Sequence, residues 1–218
     1  MISVLIPCFN REVLIKEAIQ SIQNQTYKDL RIIVYNDGST DGTVREVHEL
    51  MKSDNRIKLI EGITNQGIAF ARNQLLEACT TEIACWQDSD DISMPERIEL
   101  QLKEMELCDM VFTAWNWYNY NGEKWVTKDR PSNHLASPTM MFRVKKDLRF
   151  NEKFKISGED WDYIKRYNPF KIIEINKELY LLRSHEDRIG VLKTKIRQQF
   201  TEVQISKMSF AEMRAKVK

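Results

Sequence analysis

The chain has 218 residues, 42% of them apolar and 30% charged, which excludes a disordered chain and suits one α/β domain with a modest C-terminal appendix. A formal net charge of +1 excludes a molecule that is polycationic along its whole length. The charge is uneven, however: residues 193–218 carry seven basic groups against Glu202 and Glu212, a net +5 that leaves −4 for residues 1–192. Cys8, Cys79, Cys85 and Cys108 lack metal-ligand spacing and are expected to be buried, reduced thiols of a cytoplasmic protein. No signal-peptide pattern precedes the first apolar run and no stretch is apolar for long enough to span a bilayer, so cytosolic substrates are expected.

In chain order, Ile2–Ile6 predicts a strand ending at Pro7, and Leu14, Ile15, Ala18, Ile19 and Ile22 recur at helical spacing. Leu30–Tyr35 predicts a second strand, broken by the turn sequence Asn36-Asp37-Gly38-Ser39. Val44, Val47 and Leu50 mark a second helix, Ile57–Ile60 a third strand, and Ile68, Ala71, Leu75 and Ala78 a third helix. Ile83–Trp86 is the fourth strand and ends at Gln87-Asp88-Ser89-Asp90-Asp91. Ser93 and Glu96 then have capping-box spacing before a helix that buries Ile98, Leu102 and Met105.

Further along, Met110–Tyr120 is strand-like, Asn121-Gly122 is a hairpin signal, and Thr139–Arg143 predicts another strand. Glu159–Tyr167 predicts a short helix, and Ile172–Ile175 and Leu179–Leu182 two separate strands. From Val191 onward the pattern is helical, restarting at a second capping box, Ser209 and Glu212. The βαβ rhythm predicts a single Rossmann-like domain over residues 1–190, with a mostly parallel central sheet flanked by helices, and a basic helical tail over 191–218. Ligands of such sheets bind beyond the carboxyl ends of the strands, where the turns at 36–39 and 88–91 both fall and should share a cleft.

The chemistry-bearing residues cluster at those ends. Three carboxylates within Asp88–Asp91 repel one another unless cations or hydrogen-bond donors compensate. A hard cation, Mn²⁺ or Mg²⁺, suits such oxygens together with a substrate diphosphate; the plainer account is a solvated turn that caps a helix. Asp37 either completes a turn or accepts a hydrogen bond from a base, and Phe9 either stacks on that base or belongs to the core. Asn65-Gln66-Gly67 with Arg72 opens the third helix, a place that attracts phosphate or sugar hydroxyls. In Gly158-Glu159-Asp160-Trp161, Asp160 is a candidate general base, although Ser157 and Asp160 also have N-cap spacing. Arg183 can neutralise phosphate, and His185 can serve as a third metal ligand or a diphosphate contact.

Together these segments resemble family 2 glycosyltransferases of the GT-A fold over most of residues 1–190. The resemblance is carried by Ser3-Val4-Leu5-Ile6-Pro7-Cys8-Phe9-Asn10, Ser21–Tyr27, Asn36–Asp41, Asn65–Asn73, and Gln87–Asp91 followed by Met94-Pro95-Glu96-Arg97. It implies transfer of a sugar from a nucleotide-sugar donor, most often a UDP-sugar, to a hydroxyl acceptor by an inverting, metal-dependent displacement. It also implies that Pro7, Phe9, Asn10, Asp37, Asn65, Gly67, Arg72, Asp88, Ser89 and Arg183 line the donor site, with the base held by Phe9 and Asp37. Asp90, aided by Asp88 and His185, would hold the metal, and Asp160 would be the catalytic base. Residues 1–108 would then bind the donor and 109–190 the acceptor: a glycan, a lipid-linked saccharide or another hydroxyl compound.

The Gln-x-x-Arg-Trp motif and membrane helices of the family's processive synthases are missing from this sequence. A dinucleotide-dependent oxidoreductase should carry GxGxxG where Pro7-Cys8-Phe9-Asn10 stands. An inactive GT-A-like binding module should have lost carboxylates that this chain keeps at Asp88, Asp90 and Asp160. For the tail two readings stand: Ile196, Phe200 and Val203 dock it on the domain, or its charge engages an anionic membrane surface or a polyanion.

Overall fold

The structure, a computed structural model, describes residues 1–119, 135–154 and 158–184. Four parallel strands form one half of a sheet: β1 (Ile2–Cys8), β2 (Leu30–Asn36), β3 (Ile57–Glu61) and β4 (Ile83–Trp86). They are joined by the helices α1 (Ile15–Gln23), α2 (Thr43–Met51) and α3 (Ile68–Ala78). The remaining elements are β5 (Ile92–Ser93), α4 (Arg97–Glu104), β6 (Met110–Asn119), β7 (Met141–Arg143), α5 (Glu159–Tyr167) and β8 (Ile172–Ser184). All eight strands form one sheet in the order β3-β2-β1-β4-β7-β6-β8-β5. Pairing is parallel from β3 to β4 and between β6 and β8, and antiparallel elsewhere.

The apolar repeats read from the sequence are the faces that pack. Ile15, Ala18, Ile19 and Ile22 of α1 are buried. Residues of α1, α2 and α4 form one core with Val4, Ile6, Ile32 and Val34. On the opposite face, Leu75 and Leu76 of α3 and Tyr163 and Tyr167 of α5 close over Leu5, Ile33, Trp86, Phe112 and Phe142. Each such large side chain removed from water contributes about 1.5–3 kcal/mol, so the two layers carry most of the driving force. All four cysteines are buried and unpaired, as expected, and burial pushes the Cys8 thiol up to about 12 and the Cys85 thiol up to about 11. No helix among the described residues is long and apolar enough to cross a membrane.

Several local expectations are corrected. Pro7 lies inside β1 rather than ending it, in a central strand, where proline is ordinarily excluded. The Leu5 carbonyl accepts from Gln87 N–H, whereas the Cys8 carbonyl accepts from Asp37 N–H beside β2. Alternation therefore turns Pro7 toward β4, whose pairing with β1 has already stopped at Leu5 and Trp86, and no ladder bond is lost. Thr139 belongs to a 3₁₀ turn at Ser137–Thr139, which Pro138 favours, so β7 begins only at Met141. Ile172–Ser184 is one strand rather than two, its polar middle absorbed by register shifts against Thr113, Ala114 and Trp115.

The Ser93–Glu96 capping box does not form. Ser93 sits in β5 and its hydroxyl donates to Gln87 Oε1 at 2.6 Å, while Glu96 occupies the cap of α4 without capping the helix through its side chain. The turn expected at Asn121-Gly122, the cap expected at Ser157 and the helix expected from Val191 onward lie outside the described residues.

Arg97 ties these pieces together from a fully buried position. Its guanidinium donates to the carbonyls of Trp86 (2.8 Å) and Pro138 (3.1 Å), to Ser93 Oγ (2.7 Å), and to Gln87 and Gln101 Oε1 (3.1 Å each), with the Tyr180 ring 4.8 Å away. Arg97→Met leaves these buried acceptors without their donor, and a loss of about 3–5 kcal/mol is expected in urea unfolding. A loss below about 1 kcal/mol would contradict the assigned role.

Candidate functional site

The chain runs outward from β1 to β2 and β3, then returns through α3 to place β4 on the other side of β1. This reversal opens a crevice between the carboxyl ends of β1 and β4, the usual ligand position of an open α/β sheet. Phe9, Asn10 and Arg11 leave β1 on one side of it, and Asp88–Asp91 leave β4 on the other.

Asn10 has φ 51°, a left-handed conformation that asparagine tolerates better than most residues. Its N–H donates to Ser39 Oγ (2.9 Å) and its side-chain oxygen accepts from Thr40 N–H (2.9 Å), clasping the β1 loop to the β2 turn. Asp37 is buried, and its carboxylate accepts the N–H groups of Gln66 (3.0 and 3.1 Å) and Gly67 (2.8 Å), fixing the entry to α3. Gly38 has φ +72°, and a Cβ there would lie 2.6 Å from the Thr64 carbonyl carbon, so only glycine lets the two turns meet. Phe9 is half-buried, Pro7 is buried and Asn65 is exposed.

An oxygen of each of Asp88, Asp90 and Asp91 lies within 4.8 Å of the others. Three arginines surround this loop. Arg11 Nη2 stands 3.3 Å from Asp90, and Arg72 Nη2 stands 4.0 Å from Asp88. Arg183, itself buried, donates its backbone N–H to Asp91 (2.8 Å), its Nε–H to the Asp90 carbonyl (2.9 Å) and its Nη2 to Glu17. Asp88 N–H donates to Tyr180 Oη at 3.0 Å, and burial, with Asp91 and Asp88 nearby, holds that phenol well above its usual range and therefore protonated. Ser89, Asp90 and Asp91 are buried, whereas the Asp88 side chain remains 27% exposed. The oxygen-only donor set matches what Mn²⁺ and Mg²⁺ prefer. His185 lies outside the described residues; Asp91, counted among the close carboxylates of the sequence but given no ligand role there, is the third member of the group.

Arg72 carries the site across to α5. Its Nη1 donates to Glu159 at 2.9 Å, and its guanidinium lies 5.3 Å from the ring centroids of both Trp86 and Phe150. Because Arg72 touches both Asp88 and Glu159, the first turn of α5 is brought to the acidic loop. Asp160 follows in that turn, half-buried, with Oδ1 accepting Trp161 N–H at 2.8 Å. Gly158, at φ +92°, takes the N-cap position. Glu159 and Arg11 were not picked out from the sequence: their partners lie 87 and 79 positions away, and no local pattern marks such pairs.

This sheet order, with its crevice of carboxylates and arginines, is the GT-A type of α/β fold. A mannosyltransferase from Pyrobaculum calidifontis, solved in complex with GDP-Man and Mn²⁺, superposes with a TM-score of 0.70 at 18% identity, covering 90% of this chain and 60% of that one. S. aureus TarS 1–349 in complex with UDP-GlcNAc gives 0.69 at 20% identity, covering 99% of this chain and 72% of that one. The model of Glycosyl transferase family 2 matches residues 3–171, and the chain belongs to that family.

Among relatives, the glycosyltransferase GlyG of Streptococcus pneumoniae is 28% identical over 87% of this chain and 72% of its own length. A Haemophilus influenzae protein named only as a glycosyltransferase is 35% identical over 62% of this chain. This chain spans 56% of that protein's length.

The Arg72–Glu159 pair is both buried and directional. A double-mutant cycle on Arg72→Met and Glu159→Gln, read by urea unfolding, is expected to give a coupling of about 1–3 kcal/mol. A coupling near zero would show that the pair does not join α5 to the loop.

Proposed function

We propose that the protein transfers a sugar from a nucleotide-sugar, a UDP-sugar in the first instance, to a hydroxyl acceptor by a metal-dependent, inverting single displacement. The observation that carries this reading is the group of Asp88, Asp90 and Asp91 at the β1–β4 crevice of a family 2 glycosyltransferase chain. In this reading Phe9 stacks on the base and Asp37 faces it while holding Gln66 and Gly67. Pro7, Asn10, Asn65, Gly67 and Ser89 shape the pocket, and Arg72 with Asp88 meets the ribose and nearby groups. Asp90 and Asp88 would hold Mn²⁺ or Mg²⁺, with His185 as a further ligand, and the ion would supply positive charge at the departing diphosphate. The Mn²⁺ and the two nucleotide-sugars in the structural neighbours support this choice by analogy of fold.

Asp160 takes the acceptor proton as the acceptor oxygen attacks the anomeric carbon from the face opposite the nucleotide. The new C–O bond forms as the bond to the diphosphate breaks, and the electron pair leaves on the diphosphate. Glu159, held by Arg72, positions the turn that presents Asp160. Arg183 keeps the acidic loop in place from behind while lending its charge to the phosphate side. Residues 1–108 serve the donor and 109–190 the acceptor, and the basic tail offers contact with an anionic surface, consistent with work at the inner face of a membrane.

Asp160→Asn is expected to lower turnover by about two to four orders of magnitude with UDP binding unchanged. Turnover within about threefold of wild type would remove Asp160 as the base.

A further inference from the structure

Arg11 has no part in the proposed chemistry, yet it is held at several points. Its backbone N–H donates to Thr43 Oγ1 at 2.7 Å, anchoring the residue to the start of α2. Its Nη1 donates to the carbonyls of Asn10 (3.0 Å) and Phe9 (3.4 Å), and its Nη2 reaches Asp90 Oδ2 at 3.3 Å. The side chain is only 13% exposed, and its Nε is buried with no hydrogen-bond partner. A guanidinium normally satisfies its donors when it leaves water, and this one leaves its Nε unsatisfied. The carboxylate it contacts is the one assigned as the principal metal ligand.

We infer that Arg11 is a resident counter-cation of Asp90 that a divalent ion displaces, so that Arg11 sets metal affinity and makes it depend on the nucleotide. The inference rests on Asp90 being a ligand of the divalent cation. Before the ion binds, the guanidinium neutralises Asp90 and limits the repulsion among three close carboxylates. An ion held by Asp90 would stand near the displaced Arg11 charge, which opposes its binding. A nucleoside diphosphate reverses that opposition, because its oxygens give the released guanidinium a new anionic partner and offer ligands to the ion. The ion alone is therefore held weakly, and the ion with a diphosphate is held well. By thermodynamic linkage the coupling is reciprocal: the diphosphate tightens the ion as much as the ion tightens the diphosphate.

The test uses Mn²⁺ as the probe, titrated into the full chain by calorimetry and by the electron paramagnetic resonance of free Mn²⁺, with and without UDP. Wild type is expected to bind Mn²⁺ weakly alone and at least about tenfold more tightly with UDP. Arg11→Met is expected to bind Mn²⁺ alone about tenfold more tightly than wild type and to gain less from UDP than wild type does, because it removes the opposing charge. Arg11→Lys keeps the charge and should stay within about threefold of wild type in Mn²⁺ alone. Equal Mn²⁺ affinity in Arg11→Met and wild type would overturn the inference. So would Arg11→Lys binding as tightly as Arg11→Met, since the effect would then come from loop rearrangement rather than charge. Asp90→Asn separates the two levels: loss of Mn²⁺ binding keeps the ligand assignment, and undiminished binding overturns that assignment together with the inference built on it.

Discussion

Like charge is the constraint on which the site depends. With carboxylate oxygens of Asp88, Asp90 and Asp91 within 4.8 Å of one another, each pair of ionised groups repels by on the order of 3 kcal/mol at an effective dielectric constant of about 20. The fold offsets this by converging arginines from three distant parts of the chain: Arg11 after β1, Arg72 in α3 and Arg183 near the end of β8. Each is tied to further groups that keep it there. Arg72 is held by Glu159 and by the rings of Trp86 and Phe150, and Arg183 by Glu17 and the Asp90 carbonyl. The cluster is thereby kept assembled.

The sheet supplies the space. Because β1 and β4 stop pairing at Leu5 and Trp86, the two strands part just where their loops carry the functional groups. Pro7 fits that divergence, and the hub of Arg97, Gln87, Ser93 and Gln101 supports the acidic loop from below. Structural and site-forming contacts are thus interleaved. Arg97 binds the last carbonyl of β4, and the residues that follow are the acidic loop itself.

Most of the first half was legible because its signals are local. Apolar residues at helical spacing, β-branched runs and turn sequences identify β1 to β4 and α1 to α3 within a residue or two. Asp37, Asp88 and Asp90 stood out because they end strands. Long-range pairing left no such mark. Glu159 reads as an ordinary first-turn acid until Arg72 is found beside it, and Arg11 as a surface residue until the β1 loop is folded over Asp90. The continuity of β8 was hidden for a related reason: Asn176, Lys177 and Glu178 look like a break, and only the shifted register of β6 accommodates them. Thr139 misled in the opposite direction, since the apolar run after it carried the expected strand back into the 3₁₀ turn that Pro138 favours.

The central claim is that the β1–β4 crevice takes a nucleoside diphosphate together with a divalent ion. Thermal unfolding of the full chain with UDP, GDP, CDP or dTDP, each with and without Mn²⁺, tests it most directly, because a ligand that binds the folded state raises Tm. The account predicts a clear rise with UDP and Mn²⁺ together, little with either alone, and smaller rises with the other nucleotides. An unchanged Tm for every nucleotide in the presence of Mn²⁺, or an equal rise with UDP in excess EDTA, would contradict it.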